Sequence, residues 1–230
     1  MKKIGLVGGT GPESTLMYYR ELNSRIDKLT SGQTMPELSI ESVDFYKVWK
    51  YVADRQYEPL VSYLAEKVHN LVAGGAEVVS LTAATMHIVF DALSERVDTR
   101  LVSIPVAIRD EVIRRGYKKV GLLGTLFTME QDYMKKALRE SGIEIYIPEK
   151  EDRELIAVRI YEELEHGIVK EATLAEFQKI IGNMREKDGI EAVILGCTEL
   201  PLLLNKDNCT IPCIDSVEVH IQKLIELAMA

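Results

Sequence analysis

A lysine-led apolar run that closes on glycine and threonine occurs twice in this chain, and it restricts the fold more than any other feature. Lys2-Lys3-Ile4-Gly5-Leu6-Val7-Gly8-Gly9-Thr10 is echoed by Lys118-Lys119-Val120-Gly121-Leu122-Leu123-Gly124-Thr125. A second pair lies at almost the same offset. Glu77-Val78-Val79-Ser80-Leu81 leads into Ala84-Thr85, and Glu191-Ala192-Val193-Ile194-Leu195 leads into Cys197-Thr198. Two correspondences at similar spacing imply a duplicated unit. The expected division is 1–104 plus 214–230 for the first α/β domain and 105–213 for the second, with the terminal helix returning to the first half.

Strand-like and amphipathic stretches alternate through both halves. Strands are expected at Ile4–Val7, Leu38–Phe45, Glu77–Thr82 and Leu101–Ile104, then at Lys119–Leu123, Glu144–Ile147 and Glu191–Leu195. Helices are expected from Pro12, over Tyr57–Ala73, Thr128–Ser141, Leu155–Gly167, Thr173–Lys187 and Ser216–Ala228. Alternating βα units imply parallel sheets covered by helices. The predicted fold class is therefore α/β, with two similar domains, each a short parallel sheet flanked by helices, related by a pseudo-twofold axis. Such a pair would aim equivalent strand-end loops at opposite faces of one small molecule.

Composition narrows the class of function. The chain has 230 residues, 47% hydrophobic and 28% charged, which is the profile of an ordinary globular protein. A formal charge of −8 with scattered Lys and Arg offers no footprint for nucleic acid. The longest apolar run, Val78 to Phe90, is interrupted by Ser80, Thr82, Thr85 and His87 and is too short to span a bilayer. Glycines break any signal-peptide core after Lys2-Lys3, so the expected location is cytoplasmic. Three cysteines make no disulfide framework; Cys209 and Cys213 can pair or bind a metal, but no histidine doublet completes a ligand set. These cysteines are therefore not expected to hold a metal.

The chemistry concentrates at Gly196-Cys197-Thr198-Glu199-Leu200-Pro201. A glycine turn at the carboxyl end of a parallel strand is where such sheets bind ligands. A thiol there, followed by a hydroxyl and an acid, can carry a proton or act as a nucleophile. A helix starting near Thr198-Glu199 would favour the thiolate. Thr85 and Thr198, read as matching positions, suit an α-carboxylate or helix caps. His87 either assists chemistry or sits in the core, and His220 either turns toward Cys197 or is structural. His69 and His166 are expected at the surface.

Taken together, these motifs resemble the aspartate/glutamate racemase family of cofactor-independent amino-acid racemases. The resemblance covers essentially the whole length. It runs through Ile4–Thr15, Thr85-Met86-His87, Leu123-Gly124-Thr125, Thr128-Met129, Ile160–Glu163 and Gly196–Pro201. It implies two α/β domains, a small amino-acid or dicarboxylate substrate, no pyridoxal phosphate, no metal and a homodimer. Two-base members carry one cysteine in each half, the first in Cys-Asn-Thr-x-His and the second in Gly-Cys-Thr-Glu. Here the second is intact at Cys197, whereas the first reads Ala83-Ala84-Thr85-Met86-His87.

The resemblance therefore implies Cys197 as one acid/base, with Thr82 or His87 compensating on the other face. Gly9, Thr10, Ala84, Thr85, Thr125 and Thr198 become the substrate contacts. Two alternatives stay open: a single-thiol enzyme of the same superfamily, such as the decarboxylase that protonates one face, or a silent amino-acid binder. Lys47, Lys50, Arg55 and Lys170 are the cations available to clamp a side-chain carboxylate. A dinucleotide fold is the other reading of Gly5, Gly8, Gly9 and Gly11. Their spacing departs from the fingerprint, and that reading leaves the duplication unexplained.

Overall fold

Each lysine-led run forms the second strand, in spatial order, of a four-stranded parallel sheet. In the computed structural model, which describes residues 1–230, the chain separates into two units. One is Met1–Ser103 with His220–Ala230, and the other is Ile104–Val219. The first unit runs β1 (Ile4–Gly8), α1 (Pro12–Leu29), β2 (Leu38–Ser42), α2 (Phe45–Ala53), α3 (Tyr57–Ala73) and β3 (Val78–Leu81). A 3-10 segment (Ala84–Val89), α4 (Phe90–Arg96) and β4 (Leu101–Val102) complete it before the crossing.

The second unit contains α5 (Ile104–Arg115), β5 (Lys119–Leu123), α6 (Leu126–Glu130), α7 (Lys136–Glu140), β6 (Glu144–Tyr146) and α8 (Lys150–Glu162). There follow a 3-10 turn (Leu164–His166), α9 (Glu171–Asp188), β7 (Ala192–Leu195), α10 (Leu200–Leu203), β8 (Cys213–Asp215) and α11 (Ser216–Met229). The return crossing lies inside α11.

The sheet orders are β2-β1-β3-β4 and β6-β5-β7-β8, so the two units share one topology. Strands β1, β3 and β7 are buried along their whole length, as expected of parallel strands covered on both faces. The duplication extends to packing. A Cβ at Gly5 would lie 2.8 Å from the Ala76 Cβ and 3.2 Å from Leu71, and one at Gly121 would lie 2.9 Å from Ile190 and 3.1 Å from Met184. In both units a glycine on β1 or β5 lets the crossover helix that leads into the neighbouring strand, α3 or α9, settle against it.

Ladder register fixes which residues correspond. Val7 pairs with Leu81 and Leu123 with Leu195. One residue on, the Thr82 amide donates to the Val7 carbonyl at 3.0 Å and the Gly196 amide to the Leu123 carbonyl at 2.8 Å. Ala83 is therefore equivalent to Cys197, Ala84 to Thr198 and Thr85 to Glu199. This corrects the pairing of Thr85 with Thr198 made from sequence.

Several elements differ from the pattern-based expectation. The strand expected over Leu38–Phe45 stops at Ser42, because the Asp44 carboxylate accepts from the Tyr46 and Lys47 amides and caps α2. The strand at Leu101 ends at Val102, and Ile104 opens α5. The single helix expected over Thr128–Ser141 is two short ones, parted where the buried Lys135 ammonium donates to the Met129 and Glu130 carbonyls. The helix expected over Leu155–Gly167 begins earlier, at Lys150, and gives way to the 3-10 turn before Gly167.

His220 belongs to the first unit's core. Its side chain is fully buried, with Nδ1 2.6 Å from the Tyr18 hydroxyl and Nε2 2.9 Å from the Ser80 hydroxyl. Ser80 donates to the Val102 carbonyl at 2.6 Å, so Nε2 carries the proton and Nδ1 accepts from Tyr18. The ring ties α11 and α1 to β3 and β4. Both nitrogens are thus committed to scaffolding, which answers the alternative that His220 turns toward Cys197. No helix is long and apolar enough to cross a membrane.

Candidate active site

Strand order marks, in each unit, the edge at which a sheet of this kind takes a ligand. After β5 the chain crosses to β6 on one side, then returns to β7 on the other, and the strand ends diverge between β5 and β7. Ligands of open parallel sheets bind at such switch points. Thr125 follows β5 and Cys197 follows β7, so the second unit brings both to this edge. Gly196 allows the approach, since a Cβ there would lie 2.9 Å from the Leu123 carbonyl oxygen and 3.0 Å from the Thr128 methyl. Gly196→Ala is expected to displace the following thiol and lower turnover at least tenfold, read as kcat/KM on any substrate found.

The three residues after that glycine form one hydrogen-bonded group. The Cys197 thiol donates to Glu199 Oε2 at 2.7 Å, and the Thr198 hydroxyl donates to Glu199 Oε1 at 2.6 Å. Burial pushes the thiol well above its ordinary value, and the Glu199 carboxylate pushes it further. This overturns the expectation of a helix-stabilised thiolate: α10 starts only at Leu200 and is four residues long. The resting group is a neutral S–H aimed at a carboxylate.

Glu199→Gln removes the negative charge while keeping the side-chain shape. The thiol should then ionise at lower pH, and iodoacetamide should label Cys197 several-fold faster at pH 8. An unchanged or slower rate would show that Glu199 does not hold the proton in place.

The acids that crowd the sequence after Tyr161 divide into two roles. Glu163 is buried and accepts from Thr173 at 2.5 Å, Arg159 at 2.9 Å and Lys170 at 3.1 Å. Lys170, a candidate carboxylate clamp, is therefore spent on Glu163. Glu165, on the 3-10 turn that packs against α10, has its carboxyl raised by burial and by the charge of Glu199. Thr125 caps α6, accepting from the Thr128 amide at 3.2 Å and donating to the Thr128 hydroxyl at 3.1 Å.

In the first unit the equivalent edge lies between β1 and β3. Thr82 is buried, its hydroxyl 3.3 Å from that of Thr15 and 3.4 Å from the Val7 carbonyl. Its own carbonyl accepts from Ser14 at 2.8 Å, and the Gly9 amide donates to Thr15 at 2.9 Å. These bonds lace both strand ends to α1. His87 is buried, stacked on Phe90 at 4.9 Å, with Nδ1 3.2 Å from the Ala83 carbonyl. Burial lowers its pKa to about 4, so the ring is neutral near pH 7.

Thr10, Ala83, Ala84 and Thr85 are half-exposed at this edge. Lys47 sits 4.0 Å over the Tyr63 ring, while Lys50, Arg55, His69 and His166 are exposed. A cavity of about 740 Å³ lies elsewhere, along α1 beside Leu16, Tyr19, Arg20, Asp27 and Met35, and none of the sequence-predicted site residues lines it. Sequence reasoning did not assign Glu199 a role. Its signal was present, because an acid two residues beyond a strand-end thiol can fold back onto it.

Comparison with known proteins places this geometry. The sequence profile of the family described as Asp/Glu/hydantoin racemase matches residues 7–224. An aspartate racemase homologue from Pyrococcus horikoshii OT3 is 39% identical, with a TM-score of 0.91 and full coverage of both chains. A candidate Asp/Glu racemase from Yersinia pestis is 32% identical, with a TM-score of 0.95 over the full length of both. The aspartate racemase of Picrophilus torridus, at 22% identity, shares the fold with a TM-score of 0.75 over 99% of this chain and 94% of its own. The duplicated sheets, the strand-end thiol and the profile match agree, and the chain belongs to the Asp/Glu/hydantoin racemase family.

Proposed function

We propose that this protein is an amino-acid racemase working without pyridoxal phosphate, in which Cys197 gives and takes the proton on one face of the substrate α-carbon. The observation that carries this reading is the Cys197–Glu199–Thr198 group at the β5/β7 switch point. An α-proton is a very weak acid, so its removal needs a strong base on sulfur and hydrogen-bond donors for the developing enolate. In the racemase the proton on the opposite face leaves to Thr82 or His87, and the Cys197 thiol then delivers its own proton to the resulting carbanion. The thiolate left behind removes the proton in the reverse direction. Glu199 accepts the S–H bond in the resting state, and desolvation on substrate binding strengthens every such interaction. Thr198 and Thr125 in the second unit, with Gly9, Thr10, Ala84 and Thr85 in the first, are the proposed contacts for the substrate acid.

The position equivalent to Cys197 favours a second reading. Ala83 cannot hold a proton, the Thr82 hydroxyl is engaged with Thr15 and Val7, and His87 is a weak base inside the core. This pattern suits one-sided chemistry, in which Cys197 exchanges or delivers a proton without inversion. Incubation with L- and D-amino acids in deuterium oxide separates the two by proton NMR and chiral chromatography. Label with inversion supports the racemase; label with retained configuration supports the one-sided enzyme. Absence of label from every acid tried would sink both. Ala83→Cys should raise the inversion rate at least tenfold over the parent protein, because it restores a thiol at the equivalent position.

A further inference from the structure

The Thr125 hydroxyl is the first member of a chain at the β5/β7 edge. It accepts from the Thr128 amide at 3.2 Å and donates to the Thr128 hydroxyl at 3.1 Å. The Thr128 oxygen in turn lies 3.1 Å from the Tyr133 hydroxyl. Thr128 is buried, while Thr125 and Tyr133 are half-exposed, so only the middle member is shut away from solvent.

Thr128 is also fitted to both glycine turns of this edge. A Cβ at Gly124 would lie 2.9 Å from the Thr128 methyl, and one at Gly196 would lie 3.0 Å from the same methyl. The methyl thus wedges between the turn before Thr125 and the turn before Cys197, which fixes where its hydroxyl can sit. The Tyr133 ring packs on Phe127, with centroids 5.9 Å apart.

A hydroxyl has one proton to donate and two lone pairs to accept with. With the Thr125 proton spent on Thr128, the Thr128 proton is left for Tyr133, and Thr125 has none for an anion. The chain can also run the other way. Tyr133 then donates to Thr128, Thr128 donates to the second lone pair of Thr125, and the Thr125 proton turns toward a carboxylate. Only hydrogens rotate in this reversal, and the number of bonds within the chain is unchanged. Hydroxyls aligned in series polarise one another, which strengthens the last donor.

We propose that Thr128 and Tyr133 are positioning residues that turn the Thr125 proton onto the carboxylate of a bound amino acid or dicarboxylate. The proposal rests on the reading of Thr125 as a contact for the substrate acid. Thr128 acts through Thr125, and Tyr133 acts through Thr128.

The test uses succinate, a dicarboxylate with no stereocentre, titrated calorimetrically into the full-length protein. Thr128→Val keeps the methyl on the two glycines but cuts the chain, and should weaken binding at least about tenfold. Thr128→Ser keeps the hydroxyl and loses the methyl, and should bind at least about fivefold tighter than Thr128→Val. Tyr133→Phe should weaken binding at least about threefold. Combined with Thr128→Val it should add nothing, because the chain is already cut. A purely structural role for Thr128 gives the opposite order of serine and valine, since serine forfeits the packing that valine keeps. Circular dichroism confirms that each variant is folded. Equal affinities across the series, additive losses, or a parent protein that does not bind succinate would overturn the proposal. Deuterium exchange into amino acids is followed on the same preparations. The expected affinity losses without exchange in the parent protein leave the chain standing and remove the racemase reading. Exchange with unchanged succinate affinity in every variant does the reverse.

Discussion

Cys197→Ser is expected to abolish deuterium incorporation at the substrate α-carbon, with kcat/KM falling at least about 10³-fold, within the range that a positioned general acid–base supplies. The serine hydroxyl keeps the size and the hydrogen bond to Glu199. Its alkoxide, however, is inaccessible at neutral pH beside a carboxylate that already opposes ionisation of the softer thiol. Because serine keeps both the size and the Glu199 bond, stability should change by less than about 1 kcal/mol. The informative comparison is label exchange against thermal stability in one preparation. Exchange that continues at the parental rate in a folded Cys197→Ser protein removes the acid/base assignment altogether, whichever amino acid is used.

The second large effect is acid destabilisation between pH 6.5 and 5. His87 and His220 are buried and neutral, with pKa lowered by burial to about 4 and about 3. In the unfolded chain both titrate near 6.5. Below that value the unfolded state binds protons that the folded state refuses, so stability falls as pH falls, until each folded pKa is reached. Each histidine contributes about 1.4 kcal/mol per pH unit. The pair should therefore lose roughly 3 kcal/mol between pH 6.5 and 5, a large share of a typical domain's stability. This window lies above the range in which the ion-paired glutamates protonate. Urea unfolding at half-unit pH steps measures it, and His87→Gln should remove about half of the slope. A flat profile from pH 7 to 5 would contradict neutral burial of the two rings.

The duplication was legible because it depends on strong local signals: an apolar run, a glycine, and an acid or lysine at its start. Those signals survive in both halves since each glycine is required by a close helix or a tight turn, as Gly5, Gly121 and Gly196 illustrate. The helix over Phe45–Ala53 was hidden because its start depends on a single side-chain cap at Asp44, inside a run that otherwise reads as strand. The break between α6 and α7 was hidden for a different reason. A lysine mid-helix looks solvated in sequence, but Lys135 folds inward to satisfy two carbonyls. At the site, Cys197 was evident from its place after a strand. Its protonation was not, because that follows from where the Glu199 carboxylate folds and from burial. His220 was ambiguous for the same reason: only its partners Tyr18 and Ser80, 202 and 140 residues away, reveal a structural histidine.

The last ladder bond in each unit, Val7 to Thr82 and Leu123 to Gly196, falls one residue before the position that differs between them. The sheet ladder ends at that bond, and the side chain one residue further takes no part in it. A lineage can therefore exchange sulfur for a methyl group at one end of the molecule without loosening the framework. The same arrangement would accept a sulfur at position 83, so the two halves can be made alike there by changing a single codon on an unchanged scaffold.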